Sequence, residues 1–466
     1  MPENMKTEFV VEDPIKLAGL EVIDLWSAGK DAWNEWVRLN PVADIDFSGL
    51  DLSAKPNNKA RRFDIWSFAQ YQFPNGRIDF SGVKFGDGLV NFWGATFGDG
   101  DVCFHETNFG SGDVWFGDTK FGNGSISFDN ARFKDGKVDF FNASIRGNDR
   151  VSFRATSFNN CEIDFRKAKI KTNFFTFSDI VFQQTNVNFN EAEFNGGLIV
   201  FNKVVFDATG SSFSLSKFEN STVKFWSCSF TGPADFQDLK EASKISELSF
   251  IGSKFDQTLN ISANQHFECV IDLTQTKLAN QVILDGVFCN FKAAVKDRRL
   301  SKNMAADPLD TRRYRRLKEI TLNNRNYSQA LNFHVGEMQS RRWHETNWLT
   351  NLFEFLFRIL GDYGRSVVRP LGWLLVSLTL FAVVYSDLAR KFEVSSTERL
   401  VPALSFSLGQ MLPFIPISRE ARSVSASALF GETIPQSIIY ISSVQSLISV
   451  ILLFLLGLGL RNMFRV

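Results

Sequence analysis

The sequence predicts a β-solenoid followed by two membrane-spanning helices. Three observations predict it: a phenylalanine rhythm repeating every 12 residues, two long uncharged apolar runs near the C-terminal end, and a basic segment directly before the first of them. At 466 residues the chain is longer than one ordinary domain needs.

The rhythm comes first. Phe80, Phe92, Phe104, Phe116, Phe128 and Phe140 are each 12 residues apart. After one extra residue near Gly147 the series resumes at Phe153 and runs through Phe165, Phe177, Phe189, Phe201 and Phe213 to Phe225. A second series trails by five residues, from Phe85 to Phe230, with Ile145 and Ile170 replacing two rings. The result is 13 consecutive repeats with alternating spacings of five and seven. Two positions before the first series stand Ile78, Val90, Val102 and Val114; two before the second stand small residues such as Ala95, Thr107, Thr119 and Ala131. Residues i and i−2 of an extended segment share a side, so both point inward. Gly and Asp gather in the longer spacers, for example Gly86-Asp87-Gly88, as turns require. Spacings of five and seven do not hold one face of a helix. Internal repetition of this kind means a solenoid.

The pattern resembles the pentapeptide-repeat family, in the variant where five-residue units alternate with seven-residue ones. That resemblance implies a right-handed, quadrilateral parallel β-helix over 46–291, with two repeats per coil. Phe47, Leu52, Phe63, Phe68 and Phe73 extend the spacing upstream; Phe250, Phe255, Leu273, Leu278, Ile283 and Phe288 extend it downstream. The stretch 236–249 breaks it and is expected to bulge out as a loop or short helix. Within the N-terminal segment 1–45, Leu20 to Leu39 reads as one amphipathic helix with Leu25, Trp26, Trp33 and Trp36, stopped by Asn40-Pro41. Its phrase GKDAWNEWVRLNP resembles the helix that opens many pentapeptide-repeat proteins, so it is expected to cap the rod's open sheet edge. The five cysteines form no CxxC pair and read as free thiols; Cys228 falls on a small-residue slot of the repeat.

Residues 292–369 carry 16 basic and 8 acidic groups. Pro308 to Asn323 reads as a helix with Asp307 as N-cap. Tyr327 to Trp343 reads as a second, with Leu331, Val335 and Met338 on one face. Trp348 to Ile359 reads as a helix lying in a membrane interface. The segment resembles the connector of pentapeptide proteins that carry a channel-like C-terminal part. Its basic surplus abuts an apolar run and comes with no nucleic-acid motif, so it reads as a collar facing anionic lipid.

In 370–466, Pro370 to Ser386 and Thr433 to Leu460 carry no charge. The first, at 17 residues, is at the short limit for a span. Flanking Arg365, Arg369, Arg461 and Arg465 place both ends on the cytoplasmic side, with 387–432 outside. Leu400 to Leu412 is helical and Pro413-Phe414-Ile415-Pro416 breaks it. Two spans around a re-entrant helix resemble the layout of two-transmembrane ion channels. Ser442, Gln445, Ser446 and Ser449 form a polar stripe on the second span; with Ser405, Ser407 and Gln410 they are the candidate pore-lining residues. Hydrogen bonding between helices is the competing reading of the same stripe. No TVGYG-like filter is present, so potassium selectivity is not implied. A pore built from two helices per chain demands a homo-oligomer.

No P-loop, GxSxG or zinc spacing occurs, and no cofactor, metal or catalytic residue is expected. The acidic N-terminus lacks an apolar h-region, so no signal peptide is expected. The rod segment 46–291 has 24 basic and 29 acidic residues, too balanced for the DNA mimicry of some pentapeptide proteins. The sequence therefore predicts a bacterial inner-membrane protein that binds no nucleic acid. Its cytoplasmic rod would sense or dock a protein partner beside an oligomeric channel-like domain in the lipid bilayer. A membrane-anchored scaffold without conduction is the alternative.

Overall fold

A computed structural model describes residues 15–53, 65–147, 149–207, 210–294, 304–392, 396–412, 414–431 and 434–464. The acidic stretch before Ile15, Phe63, Pro413, Thr433 and Arg465 lie outside the described residues. The chain divides into two compact units, Met1–Lys292 and Ala293–Val466.

The first unit is a parallel β-solenoid of about 11 turns. Ile78 pairs with Val102 and Val102 with Ile126, one coil apart. Alternation in these short strands turns each Phe and the residue two before it inward. The rings therefore stack coil on coil. Phe47, Phe80, Phe104, Phe128, Phe153, Phe177, Phe201, Phe225 and Phe250 form one ladder with centroids 4.5–5.3 Å apart. Phe68, Phe92, Phe116, Phe140, Phe165, Phe189, Phe213 and Phe236 form a second at 4.5–5.0 Å. The two ladders meet edge to face, as Phe104 and Phe116 do at 5.7 Å and 76°. The small slots have a second use. The hydroxyls of Thr107, Thr119 and Thr156 donate to the carbonyls of Phe80, Phe92 and Phe128 at 2.7–2.8 Å, satisfying backbone acceptors inside the coil. Cys228 occupies the same slot with its sulfur 3.2 Å from the Phe201 carbonyl, and burial pushes its thiol up to about 12.

Irregularities in spacing are absorbed at corners. Ile126 faces Val151 rather than residue 150, which places the extra residue near Gly147. The stretch 236–249 contains the short helix that was one of its two expected forms, but it does not bulge out of the rod. Phe236 stays on its ladder, 4.7 Å from Phe213. Lys217 faces Lys240 but Thr222 faces Glu247, so the next corner is longer by two residues. They are taken up by a short 3-10 turn, Ala242–Lys244, with Ala242 and Ile245 buried. At the far end the register moves by one. Leu284 and Val287 are buried where Ile283 and Phe288 were expected, and Phe288 is 41% exposed.

The N-terminal cap is two helices. Gly29, at φ 98, separates α1 (Leu20–Ala28) from α2 (Lys30–Leu39), a backbone value that interrupts a helix. The break lets both buried indoles reach the first coil. Trp26 lies 4.5 Å from Trp66 with the rings tilted by 37°, and it donates its N–H to the Ser67 carbonyl at 3.0 Å. Trp33 lies 5.5–6.2 Å from Phe47, Tyr71 and Phe73 and donates to the Gln72 carbonyl at 2.8 Å. Leu25 and Trp36 are only half-buried.

The second unit is helical. α3 (Asp310–Asn323) and α4 (Tyr327–Ser340) pair through Tyr314, Leu317 and Ile320 against Ala330 and Phe333. Leu331 and Met338 are half-buried instead of central. A Cβ on Gly336 would lie 2.4 Å from the Tyr314 ring, so that close approach sets α4's rotation. Asp307 lies ahead of α3, accepting the Leu309 N–H at 2.9 Å and pairing with Arg313 at 2.7 Å. Then follow α5 (Trp348–Gly361), α6 (Val368–Leu388), α7 (Ser396–Met411), α8 (Pro416–Phe430) and α9 (Gln436–Met463). The segment between the two apolar helices thus holds two helices, α7 and α8, where one re-entrant helix over Leu400 to Leu412 was expected. Tyr385, Phe406, Leu429, Phe430 and Ile438 form the core they share.

Replacing Trp33 by Ala removes a fully buried indole and a satisfied N–H from the cap. Its expected cost is about 3–5 kcal/mol of solenoid stability by denaturant titration, against well under 1 kcal/mol for Trp36→Phe.

Candidate functional site

The helical unit holds the features that bear on function. α5 inverts the usual burial of an amphipathic helix. Asn351 and Glu354 are buried, whereas Trp348 and Phe353 are 71% and 62% exposed and Leu349, Leu352, Phe355 and Leu356 are exposed beside them. Specific partners hold the polar side inward. Glu354 pairs with Arg341 and lies 3.7 Å from Arg342, and Thr346 donates to Asn351 at 2.6 Å.

Eight of the segment's sixteen basic residues are held by its own carboxylates, several sharing one. Arg313, Arg315, Arg316, Lys318, Arg341, Arg342, Arg365 and Arg369 each pair with a carboxylate of the same segment. Glu337 shows the strength of such pairing. Burial alone would raise its carboxyl, but hydrogen bonds from His334, Lys318 and Arg315 outweigh burial and hold it at about 2.

Two helices are long and apolar enough to cross a membrane: Val368–Phe392, which includes α6, and α9. Only 22% and 28% of their most apolar windows are buried within the chain, unlike core helices of a water-soluble fold. Of the seven nominated residues, four come together inside one chain. Gln445 on α9 receives the Tyr385 hydroxyl at 2.9 Å and donates to the Ser407 hydroxyl at 2.7 Å and carbonyl at 3.0 Å. Ser407 in turn donates to the Leu378 carbonyl at 2.9 Å. Ser446 donates to the Gln410 side chain at 3.0 Å, and Arg422 reaches the same oxygen at 3.4 Å. The other three stand apart from this network. Ser405 is half-buried on α7, Ser442 is half-buried and turns back onto the Ile439 carbonyl at 3.0 Å, and Ser449 is fully buried. Within one chain the stripe therefore ties α6, α7 and α9 together.

Sequence reasoning did not find Tyr385 or α8. Tyr385 lies in the first apolar run as its one phenol, a polar tip that needs a buried partner. Pro416 at the first turn of α8, with Ser418, Arg422, Ala426 and Phe430 at helical spacing, was the available signal.

On the solenoid, Trp93 and Trp226 are 37% and 41% exposed. A shallow groove of about 420 Å³ lies where Asn188, Ser212, Asp235 and Asn260 stack on successive coils. Burial raises the Asp235 carboxyl above its ordinary range.

Gln445→Leu leaves the Tyr385 and Ser407 hydroxyls without their common partner. It should lower stability in detergent by roughly 1–3 kcal/mol, read by thermal unfolding, while Ser442→Ala changes little. Because the Glu337 carboxyl is depressed in the folded chain, its stabilisation is complete above its ordinary value of 4.5 and fades as pH falls toward about 2. Glu337→Gln should flatten that acid limb of the α3–α4 unfolding profile.

No family model, no curated protein and no solved structure matches the chain, so its own geometry carries the functional reading.

Proposed function

We propose that this chain is a membrane-anchored solenoid protein of a bacterial inner membrane, with the rod as a cytoplasmic docking or sensing arm. In this reading α6 and α9 cross the bilayer in opposite directions, and both termini lie in the cytoplasm. The carrying observation is the apolar surface left on α6 and α9. Leu375, Val376, Leu380 and Val383 on α6, and Val444, Leu447, Ile451 and Phe454 on α9, are all exposed. Water would penalise that surface by about 25 cal/mol per Å², whereas acyl chains do not. The inverted face of α5 supports the same solvent, with its exposed Trp and Phe at the level where a bilayer interface favours them. Arg365, Arg369 and Arg461 at the same ends of the two spans support the orientation. For the rod, we keep the right-handed, four-sided coil that the repeat pattern implies, supported by the coil repeat of 24 residues from Ile78 to Val102 to Ile126. The groove at Asp235 and the exposed Trp93 suit a protein partner.

A second reading, an oligomeric channel, has one observation in its favour: α8 exposes Arg419, Glu420, Ser423 and Ser427, beside Ala421, Val424 and Ala428. The intrachain hydrogen bonds of Ser407, Gln410, Gln445 and Ser446 favour anchoring over pore lining for those four residues.

Membranes carrying the chain should retain it through alkaline carbonate washing and release it only with detergent. Release by carbonate would end the anchoring reading. A mass measurement in detergent together with planar-bilayer recording separates the two readings: an assembly that conducts supports the channel, and a silent monomer supports the anchor alone.

A further inference from the structure

We infer that the exposed face of α8 lines a water-filled, anion-preferring passage formed between copies of this chain. The inference rests on α6 and α9 spanning the membrane. Three contacts fix how deep α8 lies. Ser407 on α7 bonds the Leu378 carbonyl, ten residues inside the Leu388 end of α6. Ser446, ten residues inside the Gln436 end of α9, bonds Gln410 near the end of α7. Arg422 on α8 bonds the same Gln410 side chain, and a Cβ on Gly409 would lie 2.4 Å from the Arg422 Cγ. Ten helical residues rise about 15 Å, half of a hydrocarbon core of about 30 Å. α7 therefore descends to mid-membrane depth, and α8 climbs back from there.

That depth gives the α8 face its meaning. Arg419 and Glu420 are exposed and, among the described residues, carry no ion pair. Ser423 and Ser427 are exposed one and two turns further on. Charged side chains at such depth cost several kcal/mol against acyl chains, so they face water or protein. One chain offers no enclosure on that side. Closure requires further copies, whose α8 faces would meet around a symmetry axis. The opposite face of α8 is already committed, with Ala426, Leu429 and Phe430 in the core and Ser418 donating to the Leu412 and Ile415 carbonyls at 2.7 and 2.6 Å. The charge sets the preference. Each chain brings Arg419 beside Glu420 on the exposed face, while Arg422, turned toward α7 and bonded to Gln410, and the positive end of the α8 dipole add positive potential at the same depth. Small anions are the class that fits.

The test uses the full chain reconstituted in lipid vesicles, with cysteines placed one at a time and probed by a membrane-impermeant anionic thiosulfonate, whose charge matches the class of ion the passage would admit. Ser423→Cys and Ser427→Cys should react at least about tenfold faster than Leu447→Cys on the lipid-facing side of α9. In bilayer recordings Arg419→Glu should lower the chloride-to-potassium permeability ratio by about tenfold. If the chain stays in carbonate-washed membranes but Ser423→Cys is as silent as Leu447→Cys, the passage is wrong and the anchor stands. Disulfide linkage of Ser423→Cys between copies without reagent access would mean a dry interface, and also overturns it. Release of the parent chain by carbonate removes the spanning helices and the passage with them.

Discussion

Ring stacking at the coil repeat is the interaction on which the first unit depends. Parallel strands sit about 4.8 Å apart, and stacked aromatic rings favour almost the same separation. A Phe at a fixed place in every coil therefore meets its successor without strain, as Phe128, Phe153 and Phe177 do at 4.8 and 4.5 Å. Each ring also holds the backbone that carries the next. The corners accept what the ladder cannot. Asp118, Asn142 and Lys167 sit there in left-handed conformations at φ 54–59, which Asn and Asp tolerate better than Lys. Where the ladder ends, the sheet edge needs cover, and the indoles of Trp26 and Trp33 supply it while satisfying two carbonyls of the first coil.

The helical unit obeys the opposite rule. Beside its apolar cores, α5, α6 and α9 turn polar groups inward and leave large apolar groups outward. Gln445 is fully buried while Phe454 on the same helix is 69% exposed, and Glu354 is 5% exposed while Phe353 beside it is 62%. In water this arrangement would be costly on both counts. In lipid it is consistent, because buried polar groups hydrogen-bond to one another and the apolar flanks meet acyl chains. The face of α8 is the place where this rule fails, with Arg419 and Glu420 outward at the level of the Gln410 network.

The solenoid was legible because its cause is periodic. A spacing of 12 survives in the sequence as plainly as in the coil, and the extra residue near Gly147 appears as the same register step in Val151. Corners were less legible. The 3-10 turn at Ala242–Lys244 keeps Phe236 on its ladder, which spacing alone could not separate from a loop that leaves the rod. The split between α1 and α2 rests on one φ at Gly29. In the helical unit, Ser407, Gln410, Gln445 and Ser446 stood out as a polar stripe, but whether it faces a pore or a neighbouring helix depends on rotation. That rotation is set by contacts such as Tyr385 with Phe406 at 4.9 Å, which no single helix records. α8 escaped notice because its Ala, Ser and Arg give no apolar run.

The most direct measurement of the central claim is amide hydrogen exchange on the full chain carrying Phe116→Asp and Phe128→Asp together. Interior carboxylates would separate the two ladders where they meet, and protection should collapse across the neighbouring coils from about Val90 to Phe165 while α3 and α4 keep theirs. Unchanged protection across those coils would mean that the rings are not interior, and the stacked-ladder account of this fold would be wrong.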